Sequence, residues 1–161
     1  MKYLTSLLFS LLFVTATTAM APAPSVAPTA AVAGLPTACS LPIKIRGAGV
    51  VTGDPTLPGG APFVARGTAN HLGHWTNSGV LAIDPVTLAA TGDATFRAAN
   101  GDELDATFDG SFDPLTGTAT ATFHWNGGTG RFANASGDAD FVVVQDPSGS
   151  FSFVAAGTLN L

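Results

Sequence analysis

The chain has 161 residues, 46% of them hydrophobic, with eleven acidic side chains against six basic ones and a formal net charge of −5. Such a balance argues against nucleic-acid binding, which needs a basic face. Cys39 is the single cysteine, so no internal disulfide can form and the fold must be held by packing.

The chain opens with the layout of a secretory signal. Lys2 supplies a positive start, residues 4–14 form an apolar run, and Ala19-Met20-Ala21 fits a small-residue cleavage pattern. The expected signal is 1–21; Pro22 disfavours a cut just before it, which makes cleavage after Ala19 the alternative. The run is too short for a membrane span, which needs about 20 residues. Residues 22–40 follow as a Pro/Ala-rich spacer in which Pro22, Pro24, Pro28 and Pro36 break any helix. The small residues before Cys39 resemble a lipid-attachment site, but Pro36 stands where an apolar residue is required and the apolar run lies far upstream. The expected location is therefore secreted, extracellular or periplasmic, with no membrane span.

Residues 41–161 then read as one domain of about 120 residues, long enough to bury well over half of its unfolded surface. No window repeats apolar residues at the helical period. The period is two, with turn signals between runs, as in a β-sandwich or barrel.

Eight strands are predicted in chain order. Over 41–51, Leu41, Ile43, Ile45 and Val51 share a face opposite Lys44 and Arg46. Over 62–70, Phe63, Ala65, Gly67 and Ala69 alternate with Val64, Arg66, Thr68 and Asn70, and over 73–83 Trp75, Leu81 and Ile83 share a face. Segment 86–98 sets Leu88, Ala90, Ala94 and Phe96 against Thr91, Asp93, Thr95 and Arg97. The alternation is cleanest over 103–112, where Leu104, Ala106, Phe108 and Phe112 oppose Asp105, Thr107, Asp109 and Ser111. Over 116–125, Ala119, Ala121, Phe123 and Trp125 oppose threonines and His124; over 135–146, the run Phe141-Val142-Val143-Val144 predicts burial on both faces. The last segment, 150–161, places Phe151, Phe153, Ala155 and Leu159 on one face.

The turns between them carry their own signatures. Asn100-Gly101 is a strong hairpin signal. Asp54-Pro55, Asp84-Pro85, Asp113-Pro114 and Asp146-Pro147 begin further turns, where proline presets φ and Asp can accept a backbone N–H bond. Glycines recur inside the strands, as a sharply bent, closing sheet requires. The expected fold is all-β, an eight-stranded antiparallel barrel, with a β-sandwich as the alternative because strand pairing is not written locally.

Three phrases carry a likeness. They are Thr68-Ala69-Asn70-His71-Leu72-Gly73, Ala98-Ala99-Asn100-Gly101-Asp102, and the stretch from Gly127-Gly128-Thr129-Gly130-Arg131-Phe132 to Gly137. In this order they resemble exported bacterial proteins of the allene-oxide-cyclase-barrel type, over most of 41–161. The third phrase also resembles a loop of plant allene oxide cyclases and dirigent proteins. The resemblance implies a bacterial source and an eight-stranded barrel with an apolar interior, often in trimers or dimers. It supplies no counterpart of the plant enzymes' catalytic residues.

Other motifs point to structure before chemistry. Gly127, Gly128, Gly130, Arg131 and Phe132 lack the lysine and helix of a phosphate-binding loop and read as a tight bend at a barrel end, with Phe132 plugging the core and Arg131 bonding nearby. His71 and His74 are three residues apart, so on a regular strand they point to opposite faces and share a metal only if Gly73 makes a bulge or turn; a hydrogen-bonded barrel residue is the expected role of His71. Asn100, Asp102, Glu103 and Asp105 lack the spacing of a calcium loop. No nucleophile elbow is present, and no cofactor is implied. Asn134-Ala135-Ser136 matches a glycosylation sequon that lies within the loop phrase.

The aromatic set remains. Trp75, Phe96, Phe108, Phe123, Trp125 and Phe153 are the candidate lining of an apolar pocket if one barrel end is open; a filled core is the bland alternative. Three functions follow from these alternatives. The first is a non-catalytic exported barrel that binds a small apolar ligand or self-associates. The second is a cyclase- or isomerase-like enzyme, which would need a buried convergent polar pair such as Asn77 or Asn70 with an acid. The third is a solid structural module.

Overall fold

The protein, as a computed structural model, is described over residues 39–161. The signal at 1–21 and the spacer up to residue 38 lie outside the described residues. Eight strands succeed one another: β1 (Ser40–Val51), β2 (Ala61–Ala69), β3 (Gly73–Ile83), β4 (Ala89–Ala98), β5 (Glu103–Asp113), β6 (Thr118–Gly128), β7 (Asp138–Gln145) and β8 (Ser150–Asn160). Each pairs antiparallel with the next, and β8 returns to pair with β1 from Ser40↔Asn160 to Val50↔Ser150. That last pairing closes the sheet into a barrel and excludes the sandwich. Closure also removes every unpaired strand edge.

Alternation along the strands puts Ile43, Ile45, Trp75, Phe96, Leu104 and Phe123 inside, with Lys44, Arg46, Thr76, Arg97 and Asp105 outside. The two ends of the barrel differ. At one end, the β2–β3, β4–β5 and β6–β7 connections fold over the interior, and Leu72, Phe96, Leu104, Phe132 and Leu159 are fully buried. These three connections contain the three loop phrases singled out in the sequence, which therefore fall together at a plugged end.

Local chemistry explains the plug. A bulge in β6 inserts one extra residue between the pairs Ala106↔Trp125 and Leu104↔Gly128, with Gly127 at φ 94°. The bend leads into a single 3-10 turn, Gly130–Phe132, which drives Phe132 into the core. Gly130, at φ 55°, lies so close to the Asp102 carboxylate that a side chain there would collide with it. Thr129 and Glu103 tie the loop to β5 through two hydrogen bonds of 2.8 Å, and Arg131 reaches Asp102 at 3.7 Å.

At the other end lie the β1–β2, β3–β4, β5–β6 and β7–β8 connections, which are the four Asp-Pro turns. Asp54, Asp84, Asp113 and Asp146 each accept a backbone N–H from the residue two further on, at 2.7–2.9 Å. These bonds hold each carboxylate below its ordinary pKa. For Asp54 and Asp146 the leading cause is a side-chain hydroxyl bond, from Thr56 and Ser148; for Asp84 and Asp113 it is a backbone bond, from Thr87 and Leu115.

Several expectations need correction. The run in β7 is not buried on both faces: Phe141 and Val143 face inward, while Val142 and Val144 are 42% and 55% exposed. A one-layer barrel has nothing outside to cover alternate residues. The fourth strand begins at Ala89 instead of residue 86, because Leu88 takes a positive φ of 60° and its N–H bonds back to Asp84 O at 2.8 Å. The seventh begins at Asp138; only Ser136 in the preceding loop bridges to Asn160.

Candidate ligand-binding cavity

The interior is filled at the plugged end and hollow toward the Asp-Pro turns. The hollow is funnel-shaped, and the space open to the centre of a water molecule is about 80 Å³. One water needs about 10–15 Å³ of such space, so several waters or part of a small organic molecule would fit.

Phenylalanine builds most of the wall. Phe123 and Phe141 stack with ring centroids 4.0 Å apart, and Phe108 meets both edge-on at 5.9 Å. Phe153 lies 6.3 Å from Phe123 and from Phe141. Higher in the funnel, Phe63 sits 6.2 Å from both Phe108 and Phe151. Leu81 and Ile83 from β3, Val51 from β1 and Phe112 from β5 complete the approach to the mouth. Edge-to-face contacts of this kind lock ring orientations beyond what area burial alone does.

Of the six aromatic residues singled out in the sequence, Phe108, Phe123 and Phe153 line this cavity. Trp75, Phe96 and Trp125 lie deeper, in the packed part, where Phe96 contacts Trp75 at 5.2 Å and Trp125 at 5.8 Å. Trp125 Nε1 donates to Thr158 O at 3.0 Å. Gly127, Gly128, Gly130, Arg131 and Phe132 belong to the opposite, plugged end and do not line the cavity.

Two polar side chains lie among the cavity residues. Gln145 is half-buried near the end of β7, at the mouth. Asn77 is deep: it is 4% exposed, and its Oδ1 is buried without a hydrogen-bond partner. Its inward direction follows from strand parity with Trp75 and Leu81. Asn70, by contrast, lies outside at a turn, accepting from Lys44 N and donating to Pro42 O, both at 2.6 Å. No titratable side chain is among the cavity residues. The polar pair with an acid that an isomerase-like site would need is thus not assembled around Asn77.

The outer surface holds a cluster that sequence reasoning missed. His124 on β6 lies between Asp138 on β7 (Nδ1 to Oδ1, 2.6 Å) and Asp109 on β5 (Nε2 to Oδ1, 2.8 Å). The bonds to Asp138 and then Asp109 raise the imidazole pKa above its ordinary value. The two carboxylates occupy opposite edges of the ring, so they clamp three strands and do not converge on a common point. His71 Nε2 contacts Pro42 O at 3.1 Å, and His74 projects outward from β3. Among the described residues no group of three His, Cys, Asp or Glu side chains is placed to hold a metal, and no helix is long and apolar enough to cross a membrane.

No protein-family model matches the chain, and no curated protein matches it at a significant level.

Proposed function

We propose that this protein is an exported barrel that binds a small apolar molecule in its open end, without catalysis. The carrying observation is the Phe-lined funnel, blind at the plugged end and reached from the mouth, with no titratable group in its wall. Apolar enclosure with one or two polar groups is the usual chemistry of a binding pocket. Export is supported by the charged start and apolar run of residues 1–21. The likeness of the three loop phrases to allene-oxide-cyclase-type barrels is compatible with an apolar guest, and the lack of an acid near Asn77 favours binding over a cyclase-like reaction.

The experiment is native mass spectrometry together with titration of an apolar fluorescent dye. The expected result is a one-to-one complex, lost in Leu81→Trp, which fills the funnel. A wild-type barrel that takes up no apolar molecule would sink the reading.

A second reading, association with further copies of the chain, is favoured by the outer charge pattern. On β1 and β2 the outward residues include Lys44, Arg46 and Arg66 and no acid. On β5 and β7 they include Asp105, Asp109, Asp138 and Asp140 and no Lys or Arg. The acidic flank is centred on β6, four places from β2 and so on the opposite side of the eight-stranded barrel, and the basic flank of one copy complements the acidic flank of another. Exposed Val142 on β7 and Val154 on β8, paired in register, add apolar surface between the two flanks.

A further inference from the structure

We infer that Asn77 is a specificity-determining residue, and that the cavity selects a neutral, elongated apolar molecule carrying a hydroxyl group at its inserted end. This deepens the ligand-binding reading and rests on it. The starting observation is the unpartnered Asn77 Oδ1, buried in an otherwise greasy wall. Buried polar atoms are nearly always hydrogen-bonded, and leaving one bare carries a penalty that a guest can relieve.

Asn77 is itself among the residues that line the cavity, and it pairs in register with Ala65 on β2 and Phe96 on β4. A hydroxyl can donate to Asn77 Oδ1; an ether or ketone oxygen only accepts and would leave it bare.

Charge and shape narrow the class further. Lys44, Arg46, Arg66 and Arg97 all lie on the outer face, so an ionised carboxylate pushed down to Asn77 would be buried without a counter-charge. The inserted group is neutral. The space of about 80 Å³ holds only part of a guest, so the rest of the molecule extends toward the mouth. Asn77 is six residues from Ile83 at the rim. At about 3.3 Å per residue and a tilt of about 40°, that is a depth of about 15 Å. An aliphatic alcohol inserted hydroxyl-first, with its chain along the Phe wall, meets these conditions.

The test titrates 1-octanol, its methyl ether and n-octane against the dye-loaded full-length protein, as wild type and Asn77→Leu. The wild type is expected to prefer octanol over the ether by about tenfold, and the octanol-to-octane preference should fall about tenfold in the variant. Octane binding retained in Asn77→Leu shows that the cavity persists. Equal binding of alcohol and ether by the wild type overturns the inference, as does an alcohol preference unchanged in the variant; Asn77 then holds water only, while the cavity reading stands. If neither octane nor dye enters the wild type, the cavity reading falls and this one with it.

Discussion

His124 and the four turn aspartates set opposite pH limits on the same barrel. A neutral imidazole has one N–H, so only the protonated ring donates to Asp138 and Asp109 together. Its folded pKa is raised, so its contribution is fully present below the unfolded value of about 6.5 and is lost as pH rises through the higher folded value. The side chain is 43% exposed, which screens the pair and keeps the effect modest. In denaturant titrations from about pH 5.5 to about pH 8.5, the stability gap between wild type and His124→Gln should shrink as pH rises. An NMR midpoint for His124 below about 6.5 would contradict the clamp. The turn aspartates act on the acid side. Their folded pKa values are depressed, so their support is present above about pH 3.9 and disappears as pH falls through the lower folded values.

Residue-level chemistry was unevenly legible. The Asp-Pro pairs announce their turns because an Asx bond spans two residues, and Asn77 is placed inside by parity with Trp75 and Leu81. The His124 clamp was not legible. It joins three strands, and Asp109 and Asp138 come together only through cross-strand register that no local pattern encodes.

Among the strands, β1 and β2 show how closure depends on missing side chains. Gly47 and Gly67 are directly opposed in register, and the Trp75 indole lies over both. A methyl at Gly67 would meet the Arg46 carbonyl oxygen, the Gly47 Cα and the Trp75 ring. The aromatic ring thus shields a glycine pair whose bareness lets the sheet curl tightly. Gly67→Ala should destabilise by about 1–3 kcal/mol through overpacking. The neighbouring outward change Thr68→Ala should stay within about 0.5 kcal/mol. Urea denaturation measures both, and equal midpoints would show that the ring moves aside freely. Strand positions were readable from period-two alternation, but strand ends were not always. Leu88 fits the alternation, yet the Asp84 turn captures it; the valines of β7 look doubly buried in a one-dimensional reading and are not.

At the scale of the whole barrel, a plugged end and an open end stand opposite each other. The Gly-rich phrase seals one end, and the cavity lies toward the other, so the loop motif stands apart from the candidate site. The opposed charged flanks act at this scale too. The association proposed through them would be head-to-tail, giving rings or open chains instead of a two-fold dimer. It should weaken steeply with salt, since exposed charges are screened within about 10 Å at 0.1 M. Light scattering should detect larger species at low ionic strength and monomers at high salt. Arg46→Glu/Arg66→Glu should remain monomeric alone and associate when mixed with Asp109→Lys/Asp140→Lys. Salt-independent monomers would dismiss this second reading.

The sequence by itself determined the strand count, the inward face of nearly every strand and the turn chemistry, because alternation and turn propensity act over a few residues. It also determined the acidic balance and the absence of a disulfide. Only the tertiary structure decided between barrel and sandwich, through the pairing of β8 with β1. It alone separated Phe108, Phe123 and Phe153 at the cavity from Trp75, Phe96 and Trp125 beneath it. Those distinctions turn on register and closure between segments far apart in the chain, and a local pattern carries no record of which distant segment a strand will meet.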